Sequence, residues 1–372
     1  MASSDSQGPT ASSVPRGLCV CDPAASRRGG WRALALTRVA AAFALLLAAA
    51  GVSTAQTLDI YFIDVEGGQS TLIVTPGGQS LLVDTGYPDR GGRDPDRIMA
   101  AVRDARLARI DYLLITHFHE DHDGGAAELA RRIPIGTFVD YGVPVETGPE
   151  VVAAFTAYDG VRKHGRHLVP IPGDLLPLTG LDVEIVSADG ATLSKPLDGA
   201  GRPNAACAAY ERRRNFSTEN PRSIGLRVRF GAFRFLDLGD LVWNKLGELV
   251  CPNNMLGEVD VYLVAHHGNG DSNVPAVLAA LKPRVAIVNN GPYKGGSATA
   301  LATLHAAAGL EGVWQLHKSG TADTDNSADA FIANIDEDDS DTAAWIKLSA
   351  AADGSFVVSN GRTGWTQVYD AR

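Results

Sequence analysis

Apolar positions along this chain come in short runs broken by glycine, proline and charged turns, and the period inside the runs switches between strand-like and helix-like. Leu58–Ile63, Ser70–Thr75 and Ser80–Asp84 are β-prone, with Pro76-Gly77-Gly78 between the last two. That spacing predicts three strands, the turn closing the second hairpin. Asp94–Arg106 follows with Ile98, Val102 and, just past its end, Leu107 at near-helical spacing, which predicts a helix with one buried face. The run Asp111–Thr116 is short and apolar, as expected of a buried strand, and it leads straight into His117.

The alternation continues. Gly124–Arg132, Glu150–Tyr158, Val274–Leu281 and Ala298–Ala308 read as helices. Leu181–Ser187, Ile224–Phe230, Phe233–Leu238, Asp260–Ala265, Val285–Asn289 and Val313–His317 read as strands. Trp345–Ser349 and Ser355–Ser359 flank Asp353-Gly354, a terminal hairpin. Hairpins mixed with helices predict an α/β fold whose sheets are covered by helices on their outer faces. The expected organisation is an N-terminal segment 1–55, a main domain 56–335, and an acidic loop and hairpin 336–372 belonging to that same domain. Asp189–Asn220, rich in glycine, proline, alanine and arginine, is a candidate loop over a site. The acidic cluster Asp336–Asp341 lacks the glycine and terminal glutamate of a calcium loop and reads as solvated.

Composition narrows the classes. With 45% hydrophobic and 20% charged residues over 372 positions, disorder is not expected. Arg27, Arg28, Arg32 and Arg38 precede the alanine-rich stretch Val39–Val52, and Ser53-Thr54-Ala55 is a small-x-small cleavage pattern. This reads as a secretory signal or, alternatively, an N-terminal anchor helix. The expected location is periplasmic or extracellular, with no membrane contact beyond that segment. Residues 1–55 contribute five basic and two acidic side chains, so without them the net charge moves from −10 to −13. So acidic a protein disfavours nucleic acid as a partner unless basic residues cluster locally, as Arg212–Arg214 would have to. Beyond that segment Cys207 and Cys251 remain, either a disulfide suited to an oxidising compartment or two separate thiols.

Chemistry concentrates in His117-Phe118-His119-Glu120-Asp121-His122, directly after a predicted strand and before Asp123-Gly124-Gly125 and a predicted helix. Three imidazoles and a carboxylate within six residues are donors suited to zinc or another first-row ion. Burying them without a cation is costly, because protonated histidines would repel one another in a poorly solvated pocket. The alternative, an exposed polar loop, conflicts with the apolar strand before it and the glycines after it.

His-x-His-x-Asp-His after an apolar strand resembles the signature of the metallo-β-lactamase superfamily. Asp84-Thr85-Gly86, Asp237-Leu238-Gly239-Asp240 and His266-His267-Gly268, each after a predicted strand, resemble that family's further elements in its order. The resemblance covers residues 58 to about 318 and implies an αββα four-layer sandwich. With Asn220-Pro221-Arg222-Ser223 before a strand, the set is most similar to the hydrolase module of DNA-uptake competence channel proteins, here free-standing. It departs from that module at Gly291–Gly296, where a histidine-proline pair is expected.

The resemblance implies two divalent cations, zinc with manganese or iron as alternatives. His117 and His119 would hold one, Asp121, His122 and His266 the second, and Asp240 would bridge. The implied activity is hydrolysis of a phosphodiester, ester or lactone bond in a small-molecule or phosphodiester substrate, by a hydroxide held between the ions. Asp121 and His267 are the candidate catalytic residues, His267 as proton donor or as plain polar neighbour. Asp84 is expected to orient a ligand histidine. Tyr293 and Lys294 are candidate anion binders, and His317 is a candidate to reach the site. A histidine usual between the main cluster and the bridging aspartate is missing. His164 and His167, set in a basic turn with Arg162, Lys163 and Arg166, or Asn220, or water, could fill its place. Histidine at position 119, where the oxygen-reducing diiron branch carries glutamate, makes redox chemistry the lesser option. The competing class is a secreted, non-catalytic metal-binding or scaffold protein of the same fold.

Overall fold

The computed structural model describes residues 57–214, 217–272, 274–335 and 343–372. The N-terminal segment 1–55, expected to be a signal or anchor, with its Cys19 and Cys21, and the acidic cluster Asp336–Asp341 lie outside the described residues. Among the described residues, two nine-stranded mixed sheets make the frame. The first takes β1 (Leu58–Phe62), β2 (Thr71–Val74), β3 (Ser80–Val83), β4 (Ile110–Leu114), β5 (Ile135–Val139) and β6 (Arg166–Leu168) from the start of the chain. The second takes β7 (Leu175–Leu176), β8 (Asp182–Ala188), β9 (Ala191–Thr192), β10 (Gly225–Phe230), β11 (Phe233–Asp237), β12 (Val261–Leu263), β13 (Val285–Val288), β14 (Gly312–His317) and β15 (Ile332–Asn334). The chain then returns to the first sheet as β16 (Ile346–Ala350), β17 (Phe356–Asn360) and β18 (Thr366–Tyr369). The expected terminal hairpin is β16–β17, and β16 pairs antiparallel with β1, Leu58 opposite Ala350.

Strands β3 to β6 run parallel, as do β11 to β15. Their near-continuous apolar sequences follow from burial on both faces. In β11, Phe233 and Phe235 point to the core between the sheets, while Leu236 points to the core under the outer helices. Val261 and Leu263 of β12 likewise face inward, and Tyr262 faces the helices. Phe62 and Phe235 meet edge to face across the two sheets, with ring centroids 5.7 Å apart. Helices Arg93–Asp104, Ala126–Arg132 and Pro149–Arg162 cover the first sheet, whereas Trp243–Val250, Pro275–Leu281 and Ala298–His305 cover the second. The expected helix–sheet–sheet–helix layering is thus present. No helix of the described residues is long and apolar enough to cross a membrane.

Three local expectations change. The helix starting near Glu150 runs one turn further, to Arg162, whose guanidinium is buried against Asp140. Strands β5 and β6, and helix Trp243–Val250, were not legible as periodic runs. The irregular stretch 189–220 is held away from the site over much of its length. Leu197, Gly201 and Asn204 donate to the carbonyls of Met255, Asn254 and Pro252, and Cys207 forms a disulfide with Cys251, Cα atoms 5.6 Å apart. Its C-terminal end, the short helix Asn220–Arg222, is the part that approaches the site.

Candidate metal centre

The carboxyl ends of β3, β4, β11 and β12 converge, the place where open parallel sheets present ligand-binding loops. Asp84 follows β3 at φ 61°, a left-handed backbone that aspartate tolerates better than most residues. Its carboxylate accepts hydrogen bonds from the Thr116 backbone N–H and Oγ1, each 2.7 Å, and lies 2.7 Å from His122 Nδ1. This locks the ring so that Nε2 faces the site, as expected of a carboxylate that orients a ligand histidine. The loop after β3 also holds the backbone of the cluster, since Thr85 N–H donates to the His122 carbonyl at 2.7 Å. Gly125 is required there, because a β-carbon would collide with the Thr85 carbonyl.

From the second sheet, Asp240 arrives after a turn in which Gly239 stands at φ 51° and donates to Asp237 Oδ1. His266, His267 and Gly268 follow β12 with three consecutive positive φ angles, 53°, 54° and 77°. The imidazoles of His266 and His267 therefore point to different places, their planes 61° apart.

One set of donors closes tightly. His122 Nε2 and His267 Nε2 each lie 3.3 Å from Asp121 Oδ2 and 3.3 Å from Asp240 Oδ2. All four residues are buried. Ligands about 2.0–2.1 Å from a tetrahedral zinc ion are separated by about 3.3–3.4 Å, and these four separations match that spacing. His122 Nε2, His267 Nε2 and Asp240 Oδ1 are buried without a hydrogen-bond partner among the described residues, which a cation would satisfy. The donor set fits a metal.

The electrostatics agree. Burial works against charge on Asp121 and Asp240, yet the surrounding imidazoles, first His122 for Asp121 and first His267 for Asp240, hold both well below the ordinary carboxylate range. Burial likewise opposes charge on His122, but Asp240, Asp121 and Asp84 hold it well above the usual histidine value. Burial and the neighbouring His122 push His117 well below it. A metal must displace the His122 proton. Binding at neutral pH is therefore expected to release protons and to tighten as pH rises, readable by calorimetry in buffers of different ionisation enthalpy. Zinc binding that releases none would contradict this. Replacing Asp84 with asparagine should weaken the metal by about 10- to 100-fold, measured by chelator competition, because the amide can present its N–H to His122 Nδ1 and favour the wrong tautomer.

His117 and His119 stand beside this cage, with His117 Nε2 3.0 Å from His119 Nδ1 and 3.9 Å from Asp240 Oδ2. Of the tandem histidines, His267, expected in catalysis, stands in the buried cluster, and His266, expected to hold the second cation, stands beside it with Nε2 3.6 Å from Asp240 Oδ2. His317 does not reach the donors. It ends β14, two strands from β12, and its Nε2 is 2.7 Å from Asp64 Oδ1, where Arg97 also binds. His167 is likewise held elsewhere, 2.9 Å from Asp140. Lys294 does arrive, its ammonium bonded to Asp121 Oδ2 and 3.0 Å from the Tyr87 hydroxyl. Gly67 permits this approach, as a β-carbon there would strike the Lys294 Cβ. Tyr293 points outward and is 65% exposed. Sequence reasoning missed Thr116, Tyr87, Glu146 (3.5 Å from His119 Nε2) and Asp271 (2.9 Å from His266 Nδ1). Of these, Thr116 directly before His117, Tyr87 directly after Asp84-Thr85-Gly86 and Asp271 five residues past His266 stood beside recognised motifs, and Glu146 did not.

Residues 63–194 match the family model described as the metallo-beta-lactamase superfamily. The protein has the fold of the metallo-β-lactamase superfamily. Over 238 residues, 62% of this chain and 84% of the other, it is 24% identical to a UPF0173 protein of Pyrococcus abyssi. Over 188 residues, 50% of this chain and 64% of the other, it is 29% identical to a UPF0173 metal-dependent hydrolase of Thermofilum pendens. Among solved structures it is similar to a metal-dependent hydrolase of the beta-lactamase superfamily, with TM-score 0.41 and 15% identity over 69% of this chain and 95% of that one. Within this superfamily fold, the donor cage sits where the two sheets' loops meet.

Proposed function

We propose that this protein is an exported metal-dependent hydrolase that uses a pair of divalent cations, zinc by its donor chemistry, on a phosphodiester, ester or lactone bond of a small molecule. The observation that carries the reading is the cage of Asp121, His122, Asp240 and His267, with four donor separations of 3.3 Å and unpartnered nitrogens inside it. When bound, the cations would supply a water ionised near neutral pH and polarise the scissile group. The chain's own part is to fix the imidazole tautomers through Asp84 and to place a cation, Lys294, beside Asp121 where a substrate anion can pair with it.

Nucleic acid fits poorly. A hollow of about 920 Å³, bordered by Tyr87 and Glu120, carries Asp89, Glu128 and Glu150 against one cation, Arg131. Arg212 pairs with Glu248 and Arg213 lies over the Trp243 ring at 3.2 Å, so neither forms an open basic groove. The kinship to the competence module extends in this proposal to the site motifs and not to DNA as substrate. The Cys207–Cys251 disulfide supports export to an oxidising compartment.

The test joins elemental analysis of the purified protein to a hydrolysis panel of bis-nitrophenyl phosphate, single-stranded DNA, lactones and penicillins. Bound metal with turnover on the phosphodiester or a lactone, and little on DNA, is expected. Metal-loaded protein inert across all these bond types would favour the scaffold alternative instead.

A further inference from the structure

We infer that His266 completes a second cation position with His117, His119 and Asp240, so that the two adjacent histidines serve different ions. Four imidazoles of this site have one nitrogen engaged on the outer side and the other turned inward, whereas the fifth, His267, has no hydrogen-bond partner on Nδ1 among the described residues. His122 gives Nδ1 to Asp84, His119 has Nε2 3.5 Å from Glu146 Oε2, and His117 has Nδ1 3.1 Å from Thr116 Oγ1. His266 repeats the pattern, with Nδ1 2.9 Å from Asp271 Oδ1 and 3.1 Å from Ser272 Oγ. Carboxylates on the outer nitrogen are what orient metal-binding histidines.

The inward atoms converge. His266 Nε2 is 3.6 Å and His117 Nε2 is 3.9 Å from the same oxygen, Asp240 Oδ2, and His117 Nε2 is 3.0 Å from His119 Nδ1. These separations bracket the spacing expected around a tetrahedral ion. The Asn220 amide nitrogen lies 3.2 Å from His266 Nε2. With Nδ1 turned to Asp271, Nε2 is the ring nitrogen left to face the site, and the Asn220 amide must give way there for a cation to bind it. Nothing in the first cage uses His266, since His267 fills the remaining place in it.

The inference rests on the metal-dependent reading of the site. It is tested by metal stoichiometry and by the visible spectrum of the cobalt-substituted protein, neither of which needs a substrate. Wild type should take up two equivalents, and His266→Asn one, asparagine being chosen because it accepts the left-handed backbone. His117→Ala combined with His266→Asn should still hold one, as both changes empty the same position. His266→Asn combined with His267→Asn should hold none tightly. The milder Asp271→Asn should keep the fold and weaken only one of two cobalt equivalents, by about 10- to 100-fold. Two equivalents held by His266→Asn at wild-type affinity would overturn the assignment and leave the hydrolase reading standing. A wild-type protein that takes up no metal would defeat both.

Discussion

Replacing Asp240 with asparagine is expected to lower turnover by about three orders of magnitude, about 4 kcal/mol of transition-state stabilisation, while the protein stays folded. Asp240 Oδ2 is the oxygen shared by the whole centre, 3.3 Å from His122 and His267 and 3.6 Å from His266. An amide keeps the shape and removes the negative charge that would balance the cations of the proposed centre. The fold survives because the backbone contact is untouched, Asp240 N–H donating to Ser223 Oγ at 3.2 Å, and because the variant buries one charge fewer. The comparison requires saturating metal, a circular-dichroism melt and kcat/KM on the substrate found in the hydrolysis panel. Turnover within a few-fold of wild type would remove Asp240 from the catalytic site.

Much of this was legible because the chemistry is local in sequence. His117 to His122 share one loop after one apolar strand, so their proximity needed only the prediction that β4 ends at that point. Asp84 and Asp240 were legible as strand-end aspartates, since parallel strands buried on both faces leave polar residues only at their ends. The tandem histidines were not, because which imidazole faces inward depends on three successive left-handed residues, and of the three only Gly268 advertises that conformation. Glu146 carried no sequence signal. It is brought to His119 by the loop before helix Pro149–Arg162, whose backbone N–H groups at 145 and 146 are held by the buried Glu219 from the opposite part of the chain. His317 misled for a related reason. A strand-end histidine has the right chemistry, but strand order places it beside Asp64, and order within a sheet is a long-range property.

Chelation should abolish turnover and leave a folded apoprotein of lower stability, and the difference should widen as pH rises. A ligand at about 1,000 times its dissociation constant stabilises by about 4 kcal/mol, which for a domain of this size corresponds to a melting shift of roughly 6 °C. The apoprotein stays folded because its buried carboxylates keep partial counter-charges: His122 beside Asp121 and Asp240, and Lys294 on Asp121. Those counter-charges differ in how they respond to pH. The folded-state pKa of His122 is raised above its unfolded value, so its contribution is fully present below the unfolded value and is lost as pH rises through the folded one. The loaded protein has no such proton to lose. Melting of apo and zinc-loaded protein from slightly acidic to alkaline pH should therefore show the apo curve falling away on the alkaline side, with zinc restoring both the melting temperature and turnover. Parallel curves across that range would mean that no raised histidine faces Asp121 and Asp240 in the empty centre.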